Sequence, residues 1–449
     1  MTNRRSRIVI AGAAGRDFHD FNVLWRADPS VEVVAFTAAQ IPGIAGRRYP
    51  PQLAGPFYPD GIAILPEEEL EAICRAHAVD DVVFAYSDLT HVQVMRLAAR
   101  AAAGGAGFVL PGARATMLAS RRPVVAVTAV RTGSGKSQLS RFIGAKLAAR
   151  GLRVAALRHP MPYGDLAAQA VQRFATSADL DAADTTIEER EEYEPWIERG
   201  IAIHAGVDYA AILAAAEAEA DIIVWDGGNN DTPFIVPDLH VVLADALRAG
   251  HETGYWPGEA NLRMADLVVI AKADAARSED VEAVRAACAA ANPRAAIVRG
   301  GSPVTLDDAA AVAGRRAIVV DDGPTLTHGG MAWGAGYVAA RAAGASIVDP
   351  RAHADPVIAA VFDAFPHIGP VLPAMGYSRE QTAALARTIV ASGAEVVVAG
   401  TPVDLARDLR LTLPVVRARY EFADLDAPGG VWAAVERLLA ARGYGSAQR

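Results

Sequence analysis

One segment limits the architecture of this chain more than any other. The β-rich run Val124-Val-Ala-Val-Thr128 enters Ala129-Val-Arg-Thr-Gly-Ser-Gly-Lys-Ser137, which leads into a helical stretch, Gln138–Arg150. A strand that passes into a helix through such a turn needs a parallel sheet beneath it and suits an anion above it. Gly133 and Gly135 let the backbone curl so that successive N–H groups face one point, and the helix N-terminus adds its positive end. Lys136 then reaches the outer phosphates of a nucleotide, and the Ser137 hydroxyl takes Mg²⁺. We read Thr132, Gly133, Ser134, Gly135, Lys136, Ser137 and Gln138 as a nucleotide-binding P-loop.

The rest of the chain agrees with a parallel sheet. Short apolar runs alternate with Ala-rich helical stretches almost to the end, as at Arg7–Ala11, Val31–Phe36, Asp81–Ala85, Arg153–Arg158, Leu239–Leu243 and Glu395–Ala399. The 449 residues, 52% of them hydrophobic, exceed one compact core. The expected fold class is α/β. A Rossmann-like N-terminal domain (1–120) precedes a P-loop NTPase domain with a deviant Walker A turn (121–320) and a C-terminal α/β region (321–449). The chain shows neither a long uncharged apolar run nor a signal-peptide pattern, so no membrane span and a cytoplasmic location are expected. A net charge of −9 argues against nucleic acid as a partner. Cys74 and Cys288, far apart, offer neither a disulfide framework nor a cysteine metal site.

Chemistry-bearing residues gather at predicted strand ends. Val130 stands where the usual P-loop has its first glycine, and the form Arg-Thr-Gly-Ser-Gly-Lys-Ser resembles the deviant loops of dethiobiotin-synthetase-like and MinD-like enzymes. There the place of Arg131 often carries a signature lysine, so Arg131 joins Lys136 as a candidate catalytic cation. Asp226, closing the run Ile222–Trp225, is placed as a catalytic Walker B acid for Mg²⁺, and Asn229 and Asn230 after it are candidate substrate contacts. Lys272 and Asp274 sit where a nucleotide base is read. Ala271 replaces the asparagine of the guanine motif, which favours ATP. Arg16, Asp17 and His19, after the glycines Gly12 and Gly15, are candidate substrate contacts with Arg158, His159 and Arg263, because guanidinium groups grip oxyanions in pairs of bonds. The acidic stretch Asp184–Glu198 reads either as a lid or as a solvated helix start. Thr327–Gly336 reads as a glycine-rich functional loop or an interdomain turn.

The motifs GAAGRDFHDFN (Gly12–Asn22), YSDLT (Tyr86–Thr90), VRTGSGKSQ (Val130–Gln138), RHPMPYGDL (Arg158–Leu166), WDGGNND (Trp225–Asp231), THGGMAWGAG (Thr327–Gly336) and PVVRARYEF (Pro414–Phe422) follow one another along nearly the whole chain. In this order they resemble the cyclic 2,3-diphosphoglycerate synthetase family. The resemblance implies an ATP-dependent ligase that needs Mg²⁺ and K⁺ and works as a homodimer. It would close an intramolecular pyrophosphate in 2,3-bisphosphoglycerate, a small phosphorylated acid, and release ADP and phosphate. The rival reading is a P-loop GTPase or ATPase switch, or a metallochaperone-like protein, without a biosynthetic acceptor. A metallochaperone should offer a Cys/His cluster, which the sequence lacks.

Overall fold

In the computed structural model, residues 4–13, 15–39, 44, 46–158, 164–228, 231–327, 329–375 and 378–444 are described. The predicted parallel runs become the centres of three sheets, giving the expected α/β architecture. In the N-terminal sheet the strand Ser6–Ala11 lies between Val31–Ala38 and Asp81–Phe84, parallel to both. The central sheet has nine strands among the described residues. At its middle Val124–Ala129 lies between Ile222–Asp226 and Leu239–Asp245, all parallel. Every residue of these three strands is buried, as expected for a sheet covered by helices on both faces. The third sheet is built on Arg316–Asp322 and Val396–Gly400.

The three units are sewn together. Leu166 and Val207 of the central unit lie in one apolar cluster with Ile10, Phe18 and Phe36 of the first. Leu89–Thr90 pairs antiparallel with Tyr255–Trp256. Ala423–Asp424 pairs with Gly300–Gly301 at the edge of the central sheet, and the helix Val431–Ala441 packs its Val431, Val435 and Leu439 into the central core. The helix Val431–Ala441 thus returns to the P-loop unit. Val304–Leu306, short of residue 321, already belongs to the third sheet through Val415–Tyr420. Among the described residues no helix is long and apolar enough to cross a membrane.

The structure adds short edge strands such as Arg48–Tyr49, Gln172–Phe174 and Leu372–Ala374, which the sequence pattern does not reveal. Two or three residues carry no legible period, and sheet neighbours decide their state.

Candidate active site

The P-loop turn forms as its glycines require. Gly133 has φ 77° and Gly135 φ 97°, and Gly135 opens the helix Lys136–Ala149. Lys136 is 7% exposed, and burial, with Arg158 next, pulls its ammonium below the usual range while Asp226 and Glu192 oppose that shift. Asp226, at the buried tip of its strand, accepts from Ser140 Oγ at 3.0 Å on one carboxylate oxygen. The other oxygen has no hydrogen bond and faces Arg158 Nη1 at 3.3 Å. Arg158 also meets Glu192 at 2.6 Å, and the Ser137 hydroxyl donates to Glu192 Oε2 at 3.2 Å. Lys136, Ser137, Arg158, Glu192 and Asp226 therefore converge at one point. The half-satisfied Asp226 carboxylate and the Ser137 oxygen are hard donors of the kind Mg²⁺ takes.

Glu192 comes from the acidic stretch, whose helix is packed into the protein and is not a solvated start. Thr186 caps the helix Ile187–Ile197 through a reciprocal box with Glu189. Glu189, Glu191 and Glu194 are buried: Glu191 accepts from Thr401, and Glu194 pairs with Arg190 and Arg407. Burial pushes the Glu192 carboxyl above its usual range against the pull of Arg158. Periodicity cannot reveal such a residue, because acidic side chains at every helical position look solvated.

Lys272 and Asp274 stand at the other side of the turn. Lys272 Nζ donates to the Gly133 carbonyl at 2.7 Å and to Asp245 at 2.8 Å. Asp274 accepts from the Ser302 amide, and Ser302 Oγ donates to Gln138 at 2.8 Å. Burial alone would raise Asp245, but Lys272 and Arg248 hold it below its usual range. Arg248 donates to the Thr132 carbonyl at 2.7 Å and to Gly329 of the glycine-rich loop at 3.2 Å, joining the turn to the third unit. That loop wraps a carboxylate: Gly334 and Gly336 amides donate to Asp321 at 2.8 and 2.7 Å.

The other candidates are held by partners of their own. Arg131 binds Asp88 of the N-terminal unit at 2.9 Å and His251 at 3.0 Å, with its guanidinium 3.8 Å from the Tyr255 ring. This placement fastens two units together. Arg263 is largely exposed and pairs with Glu259 one turn away on its own helix. Arg16 donates to the Thr232 carbonyl at 2.9 Å and Thr116 Oγ1 at 2.7 Å. His19 stacks on Phe234 with ring centroids 4.1 Å apart and meets the Thr116 carbonyl at 2.7 Å. Burial, then Arg16, lowers His19 to about 3, so the ring is neutral at physiological pH. Asp17 binds the Gly15 amide. Beside them Asp20 is fully buried, with neither carboxylate oxygen hydrogen-bonded and Arg16 at 3.5 Å. Asp231 Oδ1 is likewise buried without a partner. His159, Asn229 and Asn230 lie outside the described residues.

No family model matches the chain. It is 54% identical over 426 residues to the arginine synthetase ArcE of Thermococcus kodakarensis, with 95% of each chain covered. Among solved structures it is similar to LpxK of Aquifex aeolicus in complex with ATP, at 12% identity and TM-score 0.42, over 73% of this chain and 90% of that one. The hydrogenase maturation factor HypB of Archaeoglobus fulgidus aligns at 18% identity and TM-score 0.27, over 40% and 80%.

Proposed function

This chain belongs to the family of the arginine synthetase ArcE, and from that premise we propose that it is an ATP-dependent ligase whose product is arginine. Converting a ureido carbon to a guanidinium replaces an oxygen by nitrogen, and phosphorylation makes that oxygen a leaving group. Citrulline, which differs from arginine only by that oxygen, is then the acceptor, and ammonia the nitrogen donor. The observation that carries the reading is the convergence of Lys136, Ser137, Arg158, Glu192 and Asp226 on one turn.

MgATP would supply the phosphoryl group, with Ser137 and Asp226 as the metal's protein ligands. The turn's amides and Lys136 orient the phosphate chain and offset its charge. Arg158, neutralised by Glu192 and Asp226, has two oxyanion-gripping faces available once a phosphate competes for it.

A second reading, closure of 2,3-bisphosphoglycerate into a cyclic pyrophosphate with K⁺ and a homodimer, is favoured by the ordered run of motifs. Both readings begin with phosphoryl transfer to an acceptor oxygen. Purified protein with MgATP, ammonium and citrulline labelled with heavy oxygen in the ureido group tests the first. Arginine together with labelled inorganic phosphate is expected. A cyclic diphosphate seen by phosphorus NMR with 2,3-bisphosphoglycerate selects the second reading. Phosphate release that ignores every acceptor overturns both in favour of a switch.

A further inference from the structure

A cavity of about 240 Å³ runs along the outer face of the P-loop helix, between that helix and the segment Tyr420–Phe422. Gln138, Arg141, Phe142, Lys146, Arg199 and Tyr420 line it. Arg141 is 7% exposed, yet it makes no hydrogen bond or ion pair with any described residue, and its Nε is among the buried atoms without a partner. Buried guanidinium groups are normally paired, because an uncompensated charge away from water is costly. The Glu192 carboxylate faces Arg141 without hydrogen-bonding it, and the neighbours that line the cavity include further cations. Among the described residues Lys146 has no carboxylate partner, and it rests over the Phe142 and Trp432 rings, 5.2 Å from each centroid. Among the described residues Arg199 forms an ion pair with Glu421, a 71% exposed carboxylate that also lines the cavity, at 2.8 Å, and donates to the Pro195 carbonyl.

We propose that this cavity is a binding site for a small organic anion, a phosphate or carboxylate ester or acid with an apolar body, separate from the nucleotide. The oxyanion takes the planar fork of Arg141, and Lys146 and Arg199 flank it. Phe142 and Tyr420 wall the apolar part. The volume is below the range usual for sites that enclose drug-sized ligands, roughly 300–1,000 Å³, so the occupant is smaller than a nucleotide. Gln138, at the end nearest the P-loop, is turned to Ser302 and closes the cavity on that side.

The test uses the full chain saturated with Mg²⁺ and a non-hydrolysable ATP analogue, with phenylphosphate and inorganic phosphate as probes. Calorimetry should find saturable phenylphosphate binding that Arg141→Gln weakens at least about tenfold. The probe should raise the melting temperature of the wild type and leave that of Arg141→Gln unchanged. Without probe, Arg141→Gln should melt at or above the wild-type temperature, since an unpaired charge has gone; an arginine needed structurally would give the opposite. If Arg141→Gln does not fold, Lys146→Met on the rim carries the same comparison. No saturable binding, equal binding in wild type and variant, or displacement of the ATP analogue by phenylphosphate overturns the proposal. All readouts are of binding, so the outcome is independent of which reaction the P-loop serves.

Discussion

The hydroxyl of Ser137 donates to Glu192 Oε2 across 3.2 Å, which ties the P-loop to the buried acidic helix Ile187–Ile197. Arg158 closes the figure by meeting both Glu192 and Asp226. The cation site of the turn is thus balanced internally by a guanidinium before any phosphate arrives.

Glu192→Gln keeps the shape and removes the charge. Turnover should fall about 10- to 100-fold, with more Mg²⁺ needed for half-maximal rate, as for a residue that orients a metal ligand. A steady-state Mg²⁺ titration of wild type and variant checks this. An unchanged Mg²⁺ dependence would return Glu192 to a purely structural role.

Lys136→Ala should lower turnover at least about a hundredfold, the scale of a lost transition-state donor. The circular dichroism spectrum should be unchanged, because burial already disfavours the Lys136 charge. Retained activity would remove the turn from the chemistry.

Arg131 and Asp88 are a buried pair, each side chain 9% exposed. Losing Arg131 strands the Asp88 carboxylate, and Arg131→Ala should destabilise the protein by about 3–5 kcal/mol. Urea unfolding measures it. The double variant Arg131→Ala/Asp88→Ala should recover part of the loss. Affinity for MgATP should change little; a parallel collapse would put Arg131 on the phosphates after all.

Burial pushes Asp231 up from 3.8 to about 7, against the pull of Arg16. A carboxyl that binds its proton more tightly when folded stabilises the fold in acid. That contribution is full below 3.8 and is lost as pH rises through about 7. Its ceiling is about 4 kcal/mol. Asp231→Asn should therefore flatten the fall in melting temperature from about pH 4 to about pH 7. An equal slope in both proteins would mean that other groups cause the decline.

Arg16→Ala should weaken acceptor binding more than nucleotide binding, since Arg16 holds Thr232 and Thr116 beside Asp231 and Asp20. The loss should be about tenfold or more in acceptor Kd, the scale of a hydrogen bond to a charged group. Calorimetry with each ligand separately decides it, and the reverse order would detach the N-terminal unit from substrate binding.

Local chemistry, written in neighbouring residues, settled much of this protein in its sequence alone. The turn from Val124 to Ser137, the acid at the end of Ile222–Asp226 and the runs of buried strands depend on spacing and on what glycine permits, so they read directly. Glu192, Arg248 and Asp88 are of another kind. Each reaches the P-loop from a distant part of the chain. Glu192 and Arg248 look like ordinary surface charges until packing removes the water around them, and Asp88, though it lies in the YSDLT motif, gives no sign there of its partner Arg131. Arg131 shows the same limit from the other side: its place in the motif is local, whereas its partner Asp88 is supplied by another sheet. Burial and long-range pairing set those energies, and only the assembled tertiary structure decides them.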